Sequence, residues 1–260
     1  MKLICVGMLL LVVGAFGQQV GQQGSYENLN AVAWVQTSAE YRALASQAYR
    51  AAEANLLKAL NDRTWTAAIE QTEPFTELPT AVILDLDETV LDNSALQARL
   101  TAEHGKYTDE VWKAWVAEAR AGLVPGAAGF LAAARAHGVS VFYVTNRVCD
   151  PKKPDDPTVA VLKAHYLPLR LDQLLCKTGD SDKSSRRAYV ARGHRVLLLI
   201  GDDFNDFMTA GQAVEARRSA QLAYERYWGE RWFVLPNPTY GSWERATGYK
   251  VDEKVRLLRK

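Results

Sequence analysis

The sequence predicts an α/β fold built on a parallel sheet with helices on both faces, and three observations predict it. Apolar runs alternate with helical patterns along most of the chain. The runs AVIL (81–84), VSVFYV (139–144) and RVLLLI (195–200) are continuously apolar rather than alternating, as strands covered on both faces are. Each run then ends abruptly in polar residues: Asp85-Leu86-Asp87, Thr145-Asn146-Arg147 and Gly201-Asp202-Asp203. The 260 residues, 48% of them hydrophobic, suffice for one Rossmann-like core with a small accessory piece. Basic and acidic residues nearly balance, 31 against 30, and no basic block stands out. Nucleic-acid binding through bulk charge is therefore not expected.

The N-terminus, MKLICVGMLLLVVGAFGQQ, sets one Lys before an apolar run that ends in small residues near Gly17. This is the pattern of a secretory signal peptide over 1–17, and the run is short of the about 20 residues a membrane span needs. No Cys stands at its end to take a lipid, since Cys5 lies near its start. A periplasmic or secreted protein without a stable membrane anchor is expected. Residues 18–28, rich in Gln and Gly, read as a flexible linker. Outside the leader, Cys149 and Cys176 should both lie just beyond neighbouring strands. An exported chain can join them, but two free thiols are equally compatible with the spacing.

Residues 29–78 form an N-terminal helical segment, with Trp34, Tyr41, Leu44, Ala48 and Tyr49 at helical spacing. The core is expected over 79–250, opening with AVILDLD. A mainly helical cap, about 92–124, includes YTDEVWKAWVAEARAG. PGAAGFLAAARAHG (125–138) is a helix with Pro near its start and Gly138 at its stop. After the third strand, the stretch from Asp206 through AVEARRSAQLAYERYW is expected to continue as helix, and RWFVLPNP returns a strand.

Ligands of open parallel sheets bind beyond the carboxyl ends of the strands. Carboxylates gathered there repel one another, and a divalent cation removes the repulsion. Oxygen donors without His or Cys partners point to Mg²⁺. Asp85, Asp87, Asp202 and Asp206 are the candidate metal residues; Asp203 and Asp206 are equally readable as caps of the next helix. With Thr145 as hydroxyl donor and Lys183 as ammonium, the set suits phosphoryl transfer. The histidines His104, His137, His165 and His194 are scattered and receive no role.

Asp-x-Asp-x-Thr, a strand-end Thr, a Lys and Gly-Asp-Asp in this order resemble the haloacid dehalogenase superfamily. VILDLDETVLDN with LLLIGDDFNDF resembles more closely the paired signatures of bacterial class C acid phosphatases, the lipoprotein acid phosphatase and 5′-nucleotidase group. WVQTSAEYRALASQAY, WVAEARAGLVPGA, VTNR, DKSSRR and LPNPTYGSWE are similar to that group in the same order, over roughly residues 30–245. The resemblance implies a nucleophile at Asp85, an acid/base at Asp87 whose backbone carbonyl reaches the metal, and Asp202 as a further ligand. It also implies an acidic optimum, and Trp115 and Tyr240 flanking a nucleotide base, with Asn146 and Arg147 lining the same pocket. Tyr107 and Trp112 are expected to be structural. Where the family's first signature commonly ends in Tyr, this chain has Leu96.

The expected activity is hydrolysis of small phosphomonoesters, nucleoside 5′-monophosphates among them. A phosphotransferase passing the group to an alcohol fits the same residues, and a non-catalytic storage protein would have lost Asp85 or Asp202. An oligomer is compatible with all of these.

Overall fold

A computed structural model describes residues 28–209, 211 and 213–259. The expected signal peptide, 1–17, and nearly all of the expected linker, 18–28, lie outside the described residues. Helix α1 (Leu29–Thr37) gives way to α2 (Ala39–Asn61) at Ser38, whose hydroxyl accepts from the Tyr41 amide and caps α2. Helix α2 buries Tyr41, Ala45, Tyr49, Ala52, Leu56 and Ala59, a stripe at spacings of three and four. Leu44, read at the same helical spacing as Tyr41 and Tyr49, falls off that stripe and is exposed. Residues 62–79 are irregular rather than helical. Trp65 and Ala67 nevertheless tie them to the core, Trp65 Nε1 donating to the Leu197 carbonyl at 2.7 Å and the Ala67 amide to that of Val196 at 2.8 Å.

Strand β1 (Thr80–Leu84) enters the core, and β2 (Leu91–Asp92) leads out to helices α3 (Ser94–Ala102) and α4 (Asp109–Glu118). The chain returns through β3 (Gly122–Leu123), paired antiparallel with β2. Then come α5 (Ala127–Ala136), β4 (Ser140–Val144), α6 (Pro157–Ala164), β5 (Leu174–Leu175), α7 (Ser184–Gly193) and β6 (Arg195–Gly201). Helix α8 (Val214–Ala223), β7 (Trp232–Val234), α9 (Ser242–Thr247) and α10 (Val251–Leu257) complete the order.

The main sheet is parallel, in the order β5-β4-β1-β6-β7. Its central strands are buried along nearly their whole length, which is why they read as unbroken apolar runs. Helix α2 packs on α5 with the rings of Tyr49 and Phe130 5.7 Å apart, and the Tyr49 hydroxyl donates to the Thr89 carbonyl at 2.7 Å. The opposite face carries fully buried Trp232, whose ring NH donates to the Ala67 carbonyl at 2.8 Å. The helix expected straight after β6 is broken. A single 3₁₀ turn, Phe204–Asp206, comes first, and α8 begins only at Val214. Asp206 turns its carboxylate inward there instead of continuing the helix. Cys149 and Cys176, just past β4 and β5, form a disulfide. Among the described residues no helix is long and apolar enough to cross a membrane.

Candidate active site

All three polar strand ends open onto one cavity of about 740 Å³, a size typical of small-molecule sites. Asp85 follows β1 directly, its amide donating to the Ile200 carbonyl at 3.0 Å. Asp202 follows β6, and Asp206 closes the 3₁₀ turn beyond it. One carboxylate oxygen from each of Asp85, Asp202 and Asp206 lies within 4.8 Å of the other two. Gly201 permits this approach, because a Cβ there would stand 2.3 Å from Asp206 Oδ2. Lys183, at the start of α7 and almost wholly buried, reaches Asp85 Oδ1 at 2.5 Å and Asp206 Oδ1 at 2.6 Å.

One ammonium does not neutralise three carboxylates. Burial pushes the Asp85 carboxyl up to about 7, with Lys183 opposing the shift and Asp206 and Asp87 adding to it. Asp202 is raised well above the carboxylate range by burial and by Asp206 and Asp85. Asp206 is raised by burial against the pull of Lys183. The donor set is all oxygen and short of positive charge, so it fits a hard divalent cation. Asp202 is held at both oxygens by neutral donors, Thr89 Oγ1 at 3.0 Å and Asn237 Nδ2 at 2.8 Å. Both oxygens of Asp206 are engaged, by Lys183 and by the Asp203 amide at 2.9 Å. Asp203 is a cap: it accepts from the Asn205 amide at 2.9 Å and from the Ser242 hydroxyl at 2.6 Å.

Asp87, two residues after Asp85, lies in a different setting. Arg147 grips its Oδ1 with Nε at 2.9 Å and Nη2 at 2.7 Å, and Asn93 Nδ2 adds a bond at 2.9 Å. Glu88 takes a left-handed backbone, φ 56°, and its carboxylate accepts from the Asn93 amide at 2.9 Å and from the Tyr240 hydroxyl. Burial and the charge of Asp87 raise Glu88 well above its usual value. Asn93 joins the group, also accepting from Trp115 Nε1 at 2.8 Å.

The carboxylate of Asp87 thus stands with Arg147, outside the Asp85–Asp202–Asp206 group. Thr145 is fully buried, its hydroxyl accepting from the Arg147 amide at 3.1 Å. Asn146 lines the cavity and is held by Arg186, whose Nη2 donates to its Oδ1 at 2.8 Å while Nη1 donates to the Thr145 carbonyl. Tyr240 lines the cavity, but Trp115 does not: it is 4% exposed and packed in the core. Tyr107 and Trp112, expected to be structural, form the cavity wall instead, and Trp112 stacks on Arg147 with 5.5 Å from guanidinium carbon to ring centre. Sequence reasoning missed Asn93, Asn237, Glu88 and Arg186. All four lie inside the motifs that carry the family resemblance, and that position was the only signal they gave.

A parallel α/β sheet with this carboxylate set belongs to a recognisable class, and the comparison with known families is direct. Over residues 16–243 the chain matches the acid phosphatases of the HAD superfamily, subfamily IIIB, and it belongs to that family. It is thereby placed among phosphoric monoester hydrolases. Among solved structures it is similar to the class C acid phosphatase from Bacillus anthracis, at 30% identity and a TM-score of 0.78, covering 90% of this chain and 98% of that one. A second structure of the class C enzyme from that organism, with tungstate bound, matches at 29% identity and a TM-score of 0.77, with the same coverage.

Proposed function

We propose that this acid phosphatase is an exported, Mg²⁺-dependent enzyme that hydrolyses nucleoside 5′-monophosphates through a phosphoryl-Asp85 intermediate. The observation that carries the reading is the unequal treatment of two carboxylates from one strand end. Asp85 sits on the cation-seeking side beside Lys183, and Asp87 sits on the guanidinium side facing the same cavity. Asp85, Asp202 and the Asp87 carbonyl would hold Mg²⁺, with Asp206 beside them. When bound, Mg²⁺ neutralises the carboxylates and the phosphoryl oxygens they must approach.

Asp85 Oδ attacks phosphorus while the bond from phosphorus to the ester oxygen breaks. Asp87 gives its proton to the departing alkoxide. Water then attacks phosphorus and passes a proton back to Asp87, and the bond to Asp85 breaks to release phosphate. Lys183 balances charge on Asp85 and on the phosphoryl oxygens. Thr145, whose hydroxyl hydrogen is not used in its contact with the Arg147 amide, donates to them. The Bacillus anthracis relative crystallised with tungstate, a tetrahedral oxyanion, and that supports a phosphate position in the fold. Trp112, Tyr107 and Tyr240 give the cavity aromatic walls on which a base stacks, and stacking tolerates any base. Export is supported by the leader pattern of residues 1–17 and by the Cys149–Cys176 disulfide, a bond favoured in oxidising compartments.

The test is turnover of p-nitrophenyl phosphate and of a panel of nucleoside monophosphates and sugar phosphates, with EDTA and with Mg²⁺ restored. Activity lost in EDTA, regained with Mg²⁺ and highest on nucleotides is expected. Equal kcat/KM for sugar phosphates and nucleotides would remove the nucleotide preference, and full activity in EDTA would remove the metal.

A further inference from the structure

Beneath the Asp85–Lys183–Asp206 group lies a second ionic pair that the reaction does not use. Arg187 has a side chain 1% exposed, and its Nε and Nη2 reach Glu70 Oε1 at 2.8 and 2.7 Å. Glu70 belongs to the irregular stretch before β1, 117 positions from Arg187. The third guanidinium nitrogen, Nη1, donates to the carbonyls of Asn205 at 2.9 Å and Asp206 at 3.2 Å. Those carbonyls end the 3₁₀ turn after β6, where helical turns leave acceptors unsatisfied. Arg187 follows Lys183 by four residues, and its amide donates to the Lys183 carbonyl at 2.9 Å. One turn of α7 therefore holds the same loop twice: Lys183 at the Asp206 carboxylate and Arg187 at the Asp206 backbone.

Gln71, the next residue after Glu70, secures the far end of α7. Its Nε2 donates to the carbonyls of Ala191 and His194, both at 2.7 Å. The stretch before β1 thus fixes the near and far parts of α7 with adjacent side chains. A buried ion pair is weak evidence for stability, since apolar residues of similar volume often serve as well. An apolar residue at 187 would take the guanidinium donor from the part-buried Asn205 carbonyl and the buried Asp206 carbonyl, beside the proposed catalytic carboxylates.

We infer that the Glu70–Arg187 pair is a positioning device for catalysis: it sets the Asp206 loop against α7 so that Lys183 meets Asp85. The inference rests on the phosphatase reading above, with Asp85 and Lys183 in the roles given there. Glu70 and Arg187 touch neither substrate nor reacting atoms, and they act through Asp206 and Lys183.

The test compares Arg187→Met, Arg187→Lys and Glu70→Gln with wild type at saturating Mg²⁺, well below each melting temperature. Supporting partners of this kind typically account for about 10–100-fold in activity. Arg187→Met should lose that much in kcat with KM for p-nitrophenyl phosphate unchanged, Arg187→Lys should recover part of it, and Glu70→Gln should lose least. Amide exchange over residues 203–207 should quicken in the same order, a readout independent of turnover. Unchanged kcat in Arg187→Lys and Glu70→Gln, with unchanged exchange, would overturn the inference even if Arg187→Met failed to fold. A lower melting temperature with wild-type kcat in all three would make the pair a packing feature and overturn it equally. An inactive wild type would instead sink the phosphatase reading, and the exchange measurement would still decide whether the pair orders the loop.

Discussion

Asp85 and Asp87 leave the same strand two residues apart and enter opposite surroundings. On the Asp85 side three carboxylates face one ammonium, and burial raises each of them. On the Asp87 side a guanidinium fork, an amide and a tyrosine hydroxyl meet two carboxylates. Among the described residues the first side sets one cation against three carboxylates and the second one cation against two. There the extra carboxylate, Glu88, is held by the Asn93 amide and the Tyr240 hydroxyl and raised well above its usual value. Strand alternation alone would point both side chains to one face. The chain instead leaves β1 at Leu84 and turns, with the Leu86 carbonyl accepting from the Val90 and Leu91 amides and Glu88 left-handed, so Asp87 is carried to Arg147 while Asp85 stays with Lys183. The Asp85 side therefore needs positive charge brought in, while the Asp87 carboxylate already has its guanidinium partner from folding.

The most severe challenge to this contrast is Asp85→Asn. Removing a nucleophile from a covalent mechanism costs on the order of 10⁴-fold or more in kcat. The amide is nearly isosteric and deletes a repulsive charge, so the variant should fold and melt no lower than wild type without metal. p-Nitrophenyl phosphate turnover and a thermal melt check both halves. Retained turnover would take Asp85 out of the nucleophile's position.

On the other side, Arg147→Lys keeps the charge but loses the planar fork on Asp87. A drop in kcat of about 10–100-fold, with KM for p-nitrophenyl phosphate little changed, is expected for a lost orienting partner. Steady-state kinetics on the two variants ranks the sides directly. An Arg147→Lys loss as deep as that of Asp85→Asn would show that the acid/base side is not self-sufficient.

Much of this arrangement is legible in the sequence because the carboxylates break their local rule. Two Asp at the end of an apolar run have no packing reason to be there, and the parallel sheet follows from uninterrupted runs such as RVLLLI. The supporting residues leave no such trace. Asn93, Asn237 and Glu70 are ordinary polar residues whose importance comes from partners that only the fold brings to them: Trp115 and Asp87 for Asn93, Asp202 for Asn237 and Arg187, 117 positions on, for Glu70. The break after β6 falls where Asn205, Asp206, Thr209 and Gly211 are weak helix formers, but the inward turn of the Asp206 carboxylate leaves no mark in composition. Leu44 shares the helical spacing yet misses the buried stripe, because a stripe read from five residues leaves its exact angle loose.

A smaller effect bears on the two sides through pH. Asp85, Asp202, Asp206 and Glu88 all have folded values above their unfolded ones. The folded state then favours their protonated forms. Stability from this source is fully present below the unfolded values near 4 and is lost as pH rises, for Asp85 through about 7. Metal-stripped protein should therefore melt progressively lower between about pH 4 and 7, with about 2–4 °C for each kcal/mol in a chain of this size class. Mg²⁺ should restore most of the loss at the upper end, because it binds the ionised form. Melting curves across pH, in EDTA and in Mg²⁺, check this; a flat profile in EDTA would mean the carboxylates are already balanced without a cation.

The smallest effect separates two tryptophans of one helix. Trp112 and Trp115 are three residues apart on α4 and so only about 60° apart around it, too close for periodicity to tell cavity wall from core. The structure puts Trp112 on the wall and Trp115 in the core with its ring NH on Asn93. Trp115→Ala should act on stability, at about 3–5 kcal/mol for a buried aromatic, and on all substrates alike. Trp112→Ala should leave the fold intact and raise KM for nucleoside monophosphates by about 10-fold, the lower part of the 1–3 kcal/mol range for base stacking. It should change KM for p-nitrophenyl phosphate less. Equal losses on both substrates in Trp112→Ala would make its contact with Arg147 the reason for its place, and the aromatic wall would then belong to the Asp87 side of the site rather than to substrate.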